Sequence, residues 1–161
     1  MPNADHIHYR FATAADVPAL VPMINAAFTV EFFLDATRTD TSRLAAQMQK
    51  GRILVAEDDA NQLLASIYIE SRDDRAYLGM FAVAPEHQGS GLGRLLFQAA
   101  EEQLRSEGFR HLEISVLNLR PELLPIYRRF GFAETGTEPY RSPQHVKEGY
   151  SCHCIVMAKQ L

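Results

Sequence analysis

Apolar and polar positions along the chain change period repeatedly, and each change marks an element. From Leu92 the apolar residues fall at Leu92, Leu95, Leu96, Ala99, Ala100 and Leu104, which is the spacing of one helix face. Val17, Leu20, Val21, Ile24 and Phe28 give a second face. Thr13-x-x-Asp16 precedes it in the pattern of a capping box. Pro18 fits that helix's first turn, whereas Pro22 lies deeper and is expected to bend it. Leu44, Ala45 and Met48 predict a short helix ending near Gly51, and a further helix is expected from Pro121 to about Phe130, closed by Gly131. Shorter apolar runs read as strands at 8–12, 53–56, 63–69, 77–83, 111–117, 132–135 and 152–157. Residues 58–61 and 72–74 have turn composition, and Gly108 suits the end of the long helix. The order is strand, two helices, a three-strand meander, helix, strand, helix, two strands. It predicts one α/β (α+β) domain over 1–161, without repeats or linkers.

Two stretches resist this reading. Phe32, Phe33 and Leu34 are grouped between Glu31 and Asp35, and serve equally well as core aromatics or as the lip of a substrate site. The polar stretch 136–150 is long enough to suggest a function.

Composition narrows the classes. The chain has 161 residues and a net charge of −4, which argues against general nucleic-acid binding. No apolar run approaches the length of a membrane span, and the N-terminal stretch through His6 lacks the basic start and apolar core of a leader. With two cysteines only, a reducing cytoplasm is the default. Those cysteines stand in Cys152-His153-Cys154. On a strand His153 points away from both, and two sulfurs do not make a four-ligand site, so no metal is expected. Thiol nucleophilic chemistry has no positioned base here, and His6 and His8 read as surface residues.

The candidate chemistry lies between the strand at 77–83 and the long helix. Pro85 stops the strand, and Gly89, Gly91 and Gly93 alternate before the helix begins. Alternating glycines let backbone approach a ligand, and the first helical N–H groups lack partners at the positive end of the dipole. Together these make an anion cradle, most often for phosphate. A nucleotide P-loop is excluded, because Arg94-Leu95 stands where Lys-Ser/Thr is required. The dinucleotide fingerprint also fails, because Arg94 occupies its third glycine position. What remains, Gln88-x-x-Gly91-x-Gly93 preceded by Val83-x-Pro85, resembles the acyl-CoA motif of the GNAT superfamily of N-acetyltransferases. Tyr127, in Tyr127-x-x-x-Gly131-Phe132, resembles the superfamily's second signature.

The resemblance implies a GNAT fold: a mixed, mostly antiparallel sheet with helices on both faces, whose middle strands splay into a notch for the pantetheine arm. It implies acetyl-CoA as co-substrate, with the diphosphate held by the backbone of Gly89, Ser90, Gly91, Leu92, Gly93 and Arg94 and edged by Gln88. Backbone of Phe81, Ala82 and Val83 would pair with pantetheine, and Tyr127 would face the thioester sulfur as general acid. Two departures stand out. The asparagine expected seven residues before the tyrosine is absent; Asn118, nine before, is the nearest candidate CoA contact. Where relatives carry a carboxylate on the central strand, this chain has Tyr77, so Glu70, Glu31, His145 or a water is left as base. The expected activity is acetyl transfer to a primary amine, with a small amine or amino-acid-like acceptor. The alternatives are a non-catalytic acyl-CoA-binding module and a protein N-terminal acetyltransferase. A homodimer is compatible with the sequence.

Overall fold

The computed structural model describes residues 3–161; the expectation of no leader at the N-terminus falls partly on Met1 and Pro2, which lie outside them. The strands are β1 (His8–Phe11), β2 (Arg52–Glu57), β3 (Leu63–Arg72), β4 (Arg75–Val83), β5 (His111–Leu117), β6 (Ala133–Pro139) and β7 (His153–Gln160). The helices are α1 (Val17–Ala27), α2 (Thr41–Lys50), α3 (Leu92–Ser106) and α4 (Leu123–Arg129). The strands form one sheet in the order β1-β2-β3-β4-β5-β7-β6. Every pairing is antiparallel except β4 with β5, where α3 supplies the crossover that a parallel pair requires.

β2 explains why the sheet is covered on both faces. Its run Ile53-Leu54-Val55-Ala56 is apolar throughout because successive side chains enter different cores. Ile53 and Val55 pack with Val17, Leu20 and Ile24 of α1 and Leu44 of α2. Leu54 and Ala56 join the cluster built on Leu92, Leu96, Phe97, Ala100 and Leu104 of α3. The helix faces read from the sequence are therefore the buried ones, and α1 runs through Pro22 to Ala27. Ahead of α1, Asp16 accepts from the Thr13 N–H at 2.7 Å and from both Arg10 terminal nitrogens at 2.8 and 2.9 Å.

Two irregularities of β4 open the molecule. Ser66 pairs with Ala82 and Tyr68 with Gly79, so Met80 and Phe81 together oppose Ile67 in a bulge. Met80 takes φ +45° there. The extra residue switches faces: Ala76 and Leu78 point to the α3 core, whereas Met80 and Ala82 point to the α1 core. Phe81 and Val83 are thereby turned toward α3. The second irregularity is the pairing with β5, confined to Ala76↔Leu112 and Tyr77↔Glu113. Beyond Tyr77 the two strands part, as the resemblance implied.

Several boundaries differ from the sequence reading: β3 and β4 extend to Arg72 and from Arg75, narrowing the turn expected at 72–74, and β7 extends to Gln160. α4 begins at Leu123, because residues 120–122 form the turn that precedes it. β6 continues to Pro139, so much of the polar stretch's first part is strand; β7 then inserts between β5 and β6. Cys152 lies just before β7, while Cys154 is buried and His153 exposed. Among the described residues no group of His, Cys, Asp or Glu gathers to hold a metal, and no helix is long and apolar enough to cross a membrane.

Candidate active site

The parted strands border a cavity of about 390 Å³. One end is the turn from β4 into α3. Gly91 caps that helix at φ +87°, a conformation that favours glycine. No side chain caps the helix, and among the described residues the N–H groups of 89–94 find no protein acceptor. Gly93 lets the helix start lie against β4, since a Cβ there would stand 3.0 Å from the Phe81 ring and 3.3 Å from Val83. A run of unpartnered donors at the positive end of a fifteen-residue helix suits the diphosphate of CoA. Gln88 reaches back to the Val83 carbonyl at 3.1 Å and, like Phe81 and Val83, lines the cavity. Ser90 donates to the His87 carbonyl at 2.5 Å, tightening the turn, and Arg94 is exposed on the first helical turn. Leu92 and Ala82 bury their side chains in the two cores, so only their backbones are free to contact a ligand.

Because Gly93 has no room for a larger residue, Gly93→Val is expected to push the start of α3 off β4. The expected cost is about 1–3 kcal/mol of stability, with CoA affinity weakened about 10-fold or more. Gly136→Ala, where a Cβ meets nothing within 4 Å, is the control that changes neither. Thermal melts and CoA titration read both.

Tyr127 stands at the cavity wall on α4, its ring 6.2 Å from Phe97, 6.1 Å from Phe130 and 6.0 Å from Phe132. These aromatics fix the ring, and its hydroxyl has no hydrogen-bond partner among the described residues. Burial pushes its pKa up to about 12, so it is a protonated donor at neutral pH.

Glu31, which the sequence offered by position only, proves to be a buried wall residue of the cavity. Arg120 donates to it at 2.9 Å and to Glu122 at 2.6 Å. Burial raises the Glu31 pKa, with Arg120 opposing the rise. Glu70 and His145 lie elsewhere. Glu70 accepts from Tyr68 at 2.6 Å and Arg72 at 3.0 Å, while exposed His145 gives its backbone N–H to Asp35 at 2.7 Å. Asn118 does not line the cavity. Its side chain donates to the Ser151 carbonyl at 3.1 Å and accepts from the His153 N–H at 2.8 Å, tying the end of β5 to β7. Tyr77 lines the cavity, its ring beneath the Arg72 guanidinium at 3.8 Å. Phe33 and Leu34 are core residues, whereas Phe32 is exposed and meets Tyr150 edge-on at 6.0 Å. Arg120 and Arg38 are wall residues that the sequence reading missed. The one available signal was spacing, since Arg120 occupies the position seven before Tyr127.

Comparisons with known proteins bear on the family and the fold. Residues 19–132 match the sequence model of the acetyltransferase (GNAT) family. The streptothricin acetyltransferase of Streptomyces lavendulae is 34% identical over 74 residues, covering 46% of this chain and 39% of that protein. The mycothiol acetyltransferase of Propionibacterium freudenreichii subsp. shermanii is 26% identical over 145 residues, covering 83% of this chain and 46% of that protein. The chain thus spans less than half the length of these curated relatives. The ribosomal-protein-S18-alanine N-acetyltransferase of Escherichia coli shares the fold, with a TM-score of 0.76 at 20% identity over 96% of this chain and 93% of that one.

Proposed function

The chain belongs to the acetyltransferase (GNAT) family, and from that premise we propose that it transfers an acetyl group from acetyl-CoA to a primary amine of a small molecule, by direct attack within a ternary complex. The observation that carries the reading is the shared notch. Phe81, Val83 and Gln88, which lead into the unpartnered N–H run of 89–94, line the same cavity as Tyr127. When bound, acetyl-CoA supplies the acetyl carbonyl and a thiol leaving group. The residues of the chain do the rest. Backbone of 89–94 takes the diphosphate, and backbone of Phe81 to Val83, freed by the splay, aligns the arm and polarises the carbonyl. Holding both reactants together lowers the barrier by about 7–11 kcal/mol. The neutral amine forms the new C–N bond and passes its surplus proton to a water molecule. As the C–S bond breaks, Tyr127 gives its proton to the sulfur. Among the described residues Glu31 is the one carboxylate of the cavity wall, and Arg120 holds it in place at 2.9 Å. The cytoplasm is the proposed compartment, supported by Cys152 and Cys154 both being free thiols.

The experiment follows thiol release from acetyl-CoA across a panel of amines, beside CoA titration by calorimetry. CoA binding with amine-dependent thiol release is the expected result. CoA binding without release for any amine favours the binding module, and absence of CoA affinity overturns both.

A further inference from the structure

The wall of the cavity carries more positive than negative charge. Three arginines line the wall, Arg38, Arg120 and Arg141, against the single carboxylate Glu31. Glu31 is already engaged by Arg120, which also holds Glu122. Arg38 is half-buried, lies over the Phe28 ring at 5.1 Å, and has neither a carboxylate within 4.0 Å nor a hydrogen-bond acceptor among the described residues. A guanidinium rarely loses water on one face and stays unpaired unless something else completes it.

The backbone beneath Arg38 is built to hold it. The Asn25 side chain clamps Thr39, donating to its carbonyl at 3.0 Å and accepting from its N–H at 2.9 Å. Buried Gln144 donates to the Asp35 carbonyl at 3.2 Å, and Arg43 to the Thr37 carbonyl at 2.9 Å. Ala36 adopts φ +56°, a strained conformation for a residue with a side chain. These contacts tie the segment between α1 and α2 to the 140–146 loop, so Arg38 projects from fixed rather than wandering chain. Its field reaches Glu31, Tyr77 and Tyr140, three further cavity residues, but it forms no hydrogen bond to any of them. Arg38 follows α1, which packs on one face of the sheet, whereas the diphosphate cradle opens α3 on the other.

From this we propose that the acceptor is an amine bearing a carboxylate close to its nitrogen, an amino acid or a small relative of one, and that Arg38 binds the carboxylate while the amine faces Tyr127. The proposal rests on the acetyl-transfer reading and narrows it. A charge-assisted, bidentate Arg–carboxylate contact in a partly dry site predicts a preference of about 10- to 100-fold.

The test uses the full chain with free L-amino acids, their carboxamides, the corresponding decarboxylated amines, and spermidine as a polycation. Among these, the best acceptor is expected to be an acid that exceeds its own amide at least about 10-fold in kcat/KM, mostly through KM. Arg38→Gln should bring that ratio near one while thermal melting and CoA affinity hold, and Arg38→Lys should restore part of it. A best substrate that is an amide, a decarboxylated amine or spermidine overturns the proposal, as does a ratio unchanged in Arg38→Gln. A binding arm separates this failure from failure of acetyl transfer itself. N-acetyl amino acids and their amides are titrated onto the protein–CoA complex. Arg38-dependent binding of the acids alone supports the assignment even where thiol release is absent. Equal binding of acids and amides, or binding of neither, overturns it.

Discussion

Tyr127→Phe is expected to lower kcat about 100-fold while leaving CoA affinity and thermal stability close to those of the parent. Proton donation by a positioned side chain is worth about 10²–10⁴ in rate, and the substitution removes the proton alone. The ring remains, and with it the contacts to Phe97, Phe130 and Phe132 that seat α4 against α3. Because the hydroxyl has no partner among the described residues, deleting it orphans no buried group there and costs little in folding. A loss of turnover therefore reports on chemistry rather than on structure. The pH dependence provides a second check. A phenol held up near pH 12 stays protonated through the working range, so no alkaline loss of kcat below about pH 10 is expected from Tyr127. Steady-state kinetics against acetyl-CoA and a turned-over amine, with CoA titration beside them, decide the matter. A kcat equal to the parent's removes Tyr127 from the proposed mechanism.

Arg120→Met is expected to destabilise the fold by about 2–4 kcal/mol near pH 8, and by less near pH 5. The arginine is the partner of Glu31, whose side chain is only 7% exposed. Removing Arg120 takes from buried Glu31 its hydrogen-bonded partner and leaves only the field of Arg38, which is more damaging than losing an exposed bridge. The sign of the pH dependence follows from Glu31. Burial already raises its pKa in the folded protein, and losing Arg120 removes a cause that lowers it. A carboxyl with a folded pKa above its unfolded value binds more protons folded than unfolded. Stability then falls as pH rises from the unfolded value toward the folded one. The loss should therefore grow with pH across that window. Glu31→Gln in the same background should flatten the dependence by removing the titrating group. Urea unfolding at several pH values measures all three proteins. A pH-independent penalty, or one that shrinks with rising pH, would show that Glu31 is not the group responsible.

The sequence by itself determined what depends on neighbours a few residues apart. Helix faces follow from side chains recurring every three or four positions, and the faces at Leu92–Leu104 and Val17–Phe28 are the ones the sheet buries. The glycine turn before α3 was legible for the same local reason. Positive φ at Gly91 and close approach at Gly93 are demands that only glycine meets well. Strand order along the chain, the family resemblance and the position of Tyr127 came from the same short-range patterns. The bulge at Met80 did not, because alternation in β4 looks regular until β3 is laid beside it and two residues are found opposite Ile67. Nor did the role of Asn118, which depends on β7 being inserted beside β5. Arg120 and Glu31 are 89 residues apart, and Arg38 is recognisable as an unpaired cation only once the wall around it is known to contain one carboxylate already in use. Charge compensation and burial are properties of a three-dimensional neighbourhood, so the tertiary structure decided which of the chain's many arginines and glutamates belong to the cavity.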